Sequence, residues 1–169
     1  MTWNKLAIAQ LQRGQGIRLH VAGWSMAPLL QPGDSIRVAP IRPVQVRRGD
    51  IVVVWCDGYF LTHRVIRASA QELLLKGDFA LMPDLPVSSQ ALVGRVLASE
   101  RGAHRIDLRR RSWRVANRAL GWTGWLCIVC NRPGRLPLVA RALHLAMLVL
   151  VIVVICGGRF GWSNLQTIE

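Results

Sequence analysis

Between Ile17 and Leu108 the chain is cut into short apolar runs by pairs of turn-forming residues, and this punctuation constrains the fold more than any other feature. Ile17–Val21 alternates apolar and polar side chains, Ser35–Val38 is a short strand-like run, and Ile51–Val54 is β-branched throughout before Trp55. Gly33-Asp34 and Gly49-Asp50 lead into two of these runs, and Asp57-Gly58 is a two-residue hairpin turn joining Ile51–Trp55 to Tyr59–Ile66. Leu73–Leu75, closed by Lys76-Gly77-Asp78, and Leu92–Ala98, with Gly94 inside as a bulge or close-approach point, continue the series. β-Branched side chains suit a pleated surface, while Gly and Asp supply the turn conformations that reverse a chain. Together these runs predict a mainly β domain over residues 17–108.

The flanks read differently. Residues 1–16 suggest a short helix with Leu6, Ile8, Ala9 and Leu11 apolar, too short for a signal-peptide core or a membrane span. A chain of 169 residues has room for one such domain and an extra element. Its formal net charge of +13 comes from 22 Lys and Arg against 9 Asp and Glu. An excess of that size suits nucleic acid or anionic lipid, so its position decides between them. The arginines concentrate between Arg101 and Arg141, interleaved with Trp113, Trp122 and Trp125, and Trp162 follows. Aromatic residues among arginines favour a lipid bilayer, and no nucleic-acid partner is expected.

Residues 109–137 therefore read as a basic, tryptophan-rich interfacial segment, with Ala119–Cys130 too short to span and Asn131–Pro137 breaking it. Ala142–Gly158 carries no formally charged residue, and extending it back to Leu138 gives roughly the 20 residues a span needs. Residues 138–158 are thus expected to form one transmembrane helix, with 159–169 as a tail. Arg132, Arg135 and Arg141 precede it and Arg159 follows, which places the β domain on the cytoplasmic side; the extracytoplasmic face is the alternative. The four cysteines show no disulfide framework, and Cys127-Ile-Val-Cys130 has no second pair or histidine cluster to complete a metal site, so neither metal nor organic cofactor is expected.

The stretch GWSMAPLLQPGDSIRV, Gly23–Val38, presents a hydroxyl at a bend: Gly23 permits a tight conformation or close approach, and Pro28 discourages a helix through Ala27. A serine hydroxyl becomes a useful nucleophile only when a base takes its proton. His63, mid-strand in Thr62-His63-Arg64-Val65, suits that task. A third group should hold the imidazole tautomer, and both Asp78 and Asp84 in KGDFALMPD qualify by type.

The ordered set GWSMAP, GDSIRV, GDIVVV, THRVI, LLLKGD and VGRV, over roughly Val21–Ala98, resembles the signal peptidase I superfamily, which also includes the self-cleaving LexA-like repressors. Histidine in THRVI is similar to the archaeal and endoplasmic-reticulum branch, where other members use lysine. The resemblance implies a coiled β-sheet peptidase domain with Ser25 as nucleophile and His63 as general base. It implies Asp84, six residues after Asp78, as triad acid, and Asp78 as a supporting carboxylate. Gly23, Met26 and Pro28 match the residues that shape the bend and its oxyanion hole. Trp24 resembles the repressor form of the motif. The implied activity is endopeptidase cleavage of an extended signal or leader peptide by a membrane-anchored enzyme. About two dozen residues precede Ser25, too few for a repressor's DNA-binding domain and cleavable linker. A catalytically silent membrane-bound β module that binds peptides or partner proteins is the alternative.

Overall fold

Asp57 and Gly58 both adopt positive φ, 49° and 88°, so the hairpin between Ile51–Cys56 (β3) and Tyr59–Ala68 (β4) turns in two residues whose twist matches that of the strands. In this computed structural model, which describes residues 3–80, 82–130 and 137–156, that hairpin lies in an eight-stranded antiparallel sheet. The remaining strands are Ile17–His20 (β1), Ser35–Ala39 (β2), Glu72–Lys76 (β5), Val87–Ser88 (β6), Leu92–Arg101 (β7) and His104–Asp107 (β8). Their order is β1-β2-β7-β3-β4-β5-β6, with β8 on β7 beside this path. Helix α1 covers Trp3–Gln12, α2 covers Arg111–Cys130 and α3 covers Pro137–Cys156.

The register shifts at Arg37/Val38, Val53/Val54 and Val65/Arg67, and each shift increases local twist, coiling the sheet. Gly94 meets the close-approach expectation: a Cβ there would stand 2.6 Å from the Ala39 carbonyl oxygen. The continuous β-branched character of β3 follows from burial on both faces. Ile51 and Val53 join Met26, Leu30, Ile36 and Val96 in one core, while Val52 and Val54 join Val65, Leu73 and Leu75 in another.

The C-terminal helices depart from expectation. The interfacial segment at 109–137 becomes, from Arg111 to Cys130, one unbroken helix whose Trp113, Ala116 and Leu120 enter the first core. Leu148 of α3 is buried in that same core and His144 is buried beside it, so α3 lies back on the domain and not apart from it. Among the described residues no helix is long and apolar enough to cross a membrane, so the single-pass anchor expected at 138–158 is not supported, and α3 instead packs Leu148 and His144 on the protein. Arg132, Arg135 and Arg159, on which the orientation argument drew, and the tail 159–169 lie outside the described residues.

Candidate active site

Strands β4 and β7 and the loop after β5 meet the bend at Ser25. The Ala27 N–H donates to the Trp24 carbonyl at 2.9 Å and the Leu30 N–H to Met26 at 3.0 Å, which coils the segment tightly after the serine. Met26 is buried and anchors the bend in the core. Behind it, Gly33 at φ 88° turns the chain into β2, and the buried carboxylate of Asp34 accepts two 2.7 Å bonds from Arg101 of β7. One Arg101 nitrogen lies 3.5 Å from the Pro28 carbonyl oxygen, tying the proline to the same clamp. The close approach expected of Gly23 is absent, since a Cβ there would meet nothing within 4 Å. It occurs at Gly77, where a Cβ would come 2.6 Å from the Ser25 carbonyl oxygen and 3.2 Å from His63 Nε2.

That glycine belongs to the loop after β5, which folds over the serine. Phe79 N–H donates to the Ser25 carbonyl at 2.9 Å, and Asp84 N–H returns to the Leu75 carbonyl at 2.9 Å. The result is a side-chain line. His63 Nε2 stands 2.8 Å from Ser25 Oγ, and His63 Nδ1 stands 2.6 Å from Asp84 Oδ2. A carboxylate only accepts, so Nδ1 carries the proton and donates to Asp84, leaving Nε2 to accept from the Ser25 hydroxyl. His63 is buried on β4 and Asp84 is partly exposed, an arrangement in which imidazole can take the serine proton while the carboxylate balances the imidazolium.

Asp78 is turned elsewhere. Its oxygens each accept a 2.7 Å bond from Arg64, the fully buried neighbour of His63. Arg64 also donates to the Gly49 carbonyl at 3.0 Å and to Asn117 Oδ1 of α2 at 2.7 Å. Neither Arg64 nor Asn117 is marked as a site residue by motif or spacing; for Arg64 the available signal is a charged residue followed by apolar Val65 and Ile66 in a strand, with Asp78 just after the next strand. Lys76 is buried as well, its ammonium donating to the Gly77 carbonyl at 3.0 Å. On α3, His144 is buried with Nδ1 2.7 Å from Thr123 Oγ1, and Thr123 in turn donates to the Leu120 carbonyl at 3.1 Å.

A coiled antiparallel sheet carrying a Ser–His–Asp line of this geometry defines a class, that of proteins built like serine hydrolases on a β scaffold. The family model described as Peptidase S24-like matches residues 3–97, and the chain belongs to that family, within the LexA and signal peptidase I-like superfamily of serine peptidases. A search of curated proteins gave no match. The matched residues hold every member of the line and end before α2 and α3.

Proposed function

We propose that the chain is a serine endopeptidase that cleaves a peptide substrate by acyl transfer, with Ser25 as nucleophile, His63 as general base and Asp84 as the acid that holds the imidazole. The observation that carries this reading is the unbroken line from Ser25 Oγ through His63 to Asp84, at 2.8 and 2.6 Å. Ser25 Oγ attacks the scissile carbonyl carbon as its proton passes to Nε2, and the tetrahedral oxyanion forms. The Ser25 backbone N–H makes no hydrogen bond among the described residues, and it is the proposed oxyanion donor. Collapse of that intermediate breaks the C–N bond as Nε2 returns the proton to the leaving amine. Water then repeats the sequence on the acyl-serine ester and frees Ser25.

Histidine as the base supports the archaeal and endoplasmic-reticulum type of signal peptidase chemistry, since the buried Lys76 ammonium is directed to the Gly77 carbonyl. Signal or leader peptides bound as extended strands are the proposed substrates. The outward sides of α2 and α3 expose Trp122, Trp125 and Leu126, and Leu143, Leu150 and Val153, which supports attachment to a bilayer surface through these faces. The arginines of α2 favour the anionic cytoplasmic leaflet, and protease accessibility of the domain in sealed vesicles of known orientation tests that side.

Ser25→Ala abolishes cleavage of a precursor peptide while leaving the folded protein intact; retained cleavage overturns the mechanism. A serine-directed acylating probe separates the enzyme from a silent binding module. The enzyme is labelled at Ser25 and loses labelling in His63→Ala, whereas the module is not labelled at all.

A further inference from the structure

Arg47, Arg48, Arg95, Arg109, Arg114 and Arg118 line one cleft of about 750 Å³, between the β2–β3 connection, β7 and the first half of α2, and no member of the Ser–His–Asp line borders it. Asp50 is the one acidic residue in its wall. Its Oδ2 already accepts the Arg47 N–H at 3.0 Å and lies 3.7 Å from Arg95. Arg109 is bound to Asp107. Arg47, Arg114 and Arg118 have no acidic partner within ion-pair distance among the described residues, so the cleft keeps an excess of positive charge. Arg48, in the same wall, adds an uncommitted donor. Its Nε donates to the Ile66 carbonyl at 2.8 Å and its guanidinium lies 3.9 Å from the Trp122 ring centroid, yet its buried Nη1 has no hydrogen-bond partner.

The helix that forms one wall continues into an apolar surface. Arg114, Arg118 and Trp122 succeed one another at four-residue spacing, so they form one stripe along α2, with Trp125 beside its end. Beyond the stripe, exposed Trp122, Trp125 and Leu126 stand on α2, and α3, which packs against α2, adds exposed Leu143, Leu150 and Val153. An inorganic anion would satisfy the arginines and leave the apolar surface uncovered. A nucleic acid would do the same, because it has no means of covering leucine and valine on a helix pair. A bilayer with anionic headgroups meets both requirements, phosphate at the guanidiniums and acyl chains beyond the tryptophans.

We propose that this cleft is a binding site for the phosphate groups of anionic phospholipids, setting the depth and orientation at which the α2–α3 face enters the membrane surface. The proposal rests on the surface-attachment reading given above and specifies its lipid.

Co-flotation of the full chain with phosphatidylcholine vesicles, with and without phosphatidylglycerol, tests it. Binding rises about tenfold or more when phosphatidylglycerol is included, and Arg114→Gln/Arg118→Gln removes most of that rise while leaving binding to pure phosphatidylcholine and probe labelling of Ser25 unchanged. Labelling guards against misfolding of the variant, since neither arginine touches the Ser–His–Asp line. Equal binding to both vesicles, or an unchanged rise in the variant, overturns the headgroup site while surface attachment stands. Absence of binding to either vesicle overturns both. Suppression of the rise by orthophosphate at matched ionic strength assigns the cleft to a free anion, and suppression by a short DNA duplex assigns it to nucleic acid; either result overturns the lipid assignment.

Discussion

Asp78 and Asp84 stand six residues apart in one loop and serve different partners. The side chain of Asp84 is 25% exposed and ends on His63, whereas that of Asp78 is 1% exposed and ends on Arg64. Their substitutions should therefore fail in different assays. Asp84→Asn replaces an accept-only carboxylate with an uncharged amide that can also donate to Nδ1, so the imidazole is no longer held in the productive tautomer or balanced when protonated, and the rate of Ser25 acylation should fall by about 10³- to 10⁴-fold. Its stability in urea should stay within about 1 kcal/mol of the parent, because the position is partly solvated. Asp78→Asn leaves the buried Arg64 guanidinium without its counter-charge and should cost about 3–5 kcal/mol in the same urea measurement. If Asp78→Asn proves stable and Asp84→Asn keeps its acylation rate, the division of roles is wrong. From sequence, both aspartates fitted by type, because a side chain's direction in a turn depends on which backbone groups close it. The bond from Asp84 N–H to the Leu75 carbonyl sets that direction, and it depends on contacts across the loop that spacing does not encode.

At the scale of elements, the longer strands and the short N-terminal helix were legible, whereas β6, β8 and the packing of the two C-terminal helices on the sheet were not. Period-two runs and Gly-Asp turns specify strands locally, and β3 shows its burial on both faces in an uninterrupted β-branched sequence. Helix α2 misled through its tryptophans. Trp113 is 2% exposed and Trp122, nine residues on, is 58% exposed, which is what about 100° per residue dictates for positions two and a half turns apart. One tryptophan fills the core while the other faces outward, and composition alone assigned both to a membrane. The same helix supplies Asn117, whose Oδ1 completes the shell around Arg64, and whose carbonyl oxygen would lie 2.3 Å from a Cβ added at Gly49. Asn117→Leu should destabilise the protein by about 1–3 kcal/mol, since it strips a buried charged donor of an acceptor. Arg118→Leu, one residue along on the exposed side, should change stability by about 0.5 kcal/mol or less. Equal denaturation midpoints for the two variants would show that the link from α2 to Arg64 carries no weight.

The molecule as a whole joins its peptidase-family sheet to α2 and α3 through buried polar groups as well as apolar ones, and this makes its cohesion sensitive to pH. His144 of α3 lies within the fold, near Asp78, Lys76 and Arg64. Burial, opposed by Asp78 and reinforced by Lys76 and Arg64, lowers its pKa from 6.5 to about 4. Above pH ~6.5 the histidine is neutral in folded and unfolded chains alike and imposes no penalty. As pH falls below that value the unfolded chain takes up a proton that the folded chain refuses until about pH 4. Stability is therefore lost through this window at up to about 1.4 kcal/mol per pH unit, accumulating to about 3 kcal/mol at its lower end. Carboxylates titrate over part of the same range, so the informative quantity is a difference between two proteins. Urea unfolding of the parent and of His144→Leu at pH 7 and pH 4.5 supplies it. The parent should lose about 2–3 kcal/mol more than the variant between the two conditions. Equal losses would mean that His144 is reached by protons in the folded state, and that α3 does not seal it against the sheet.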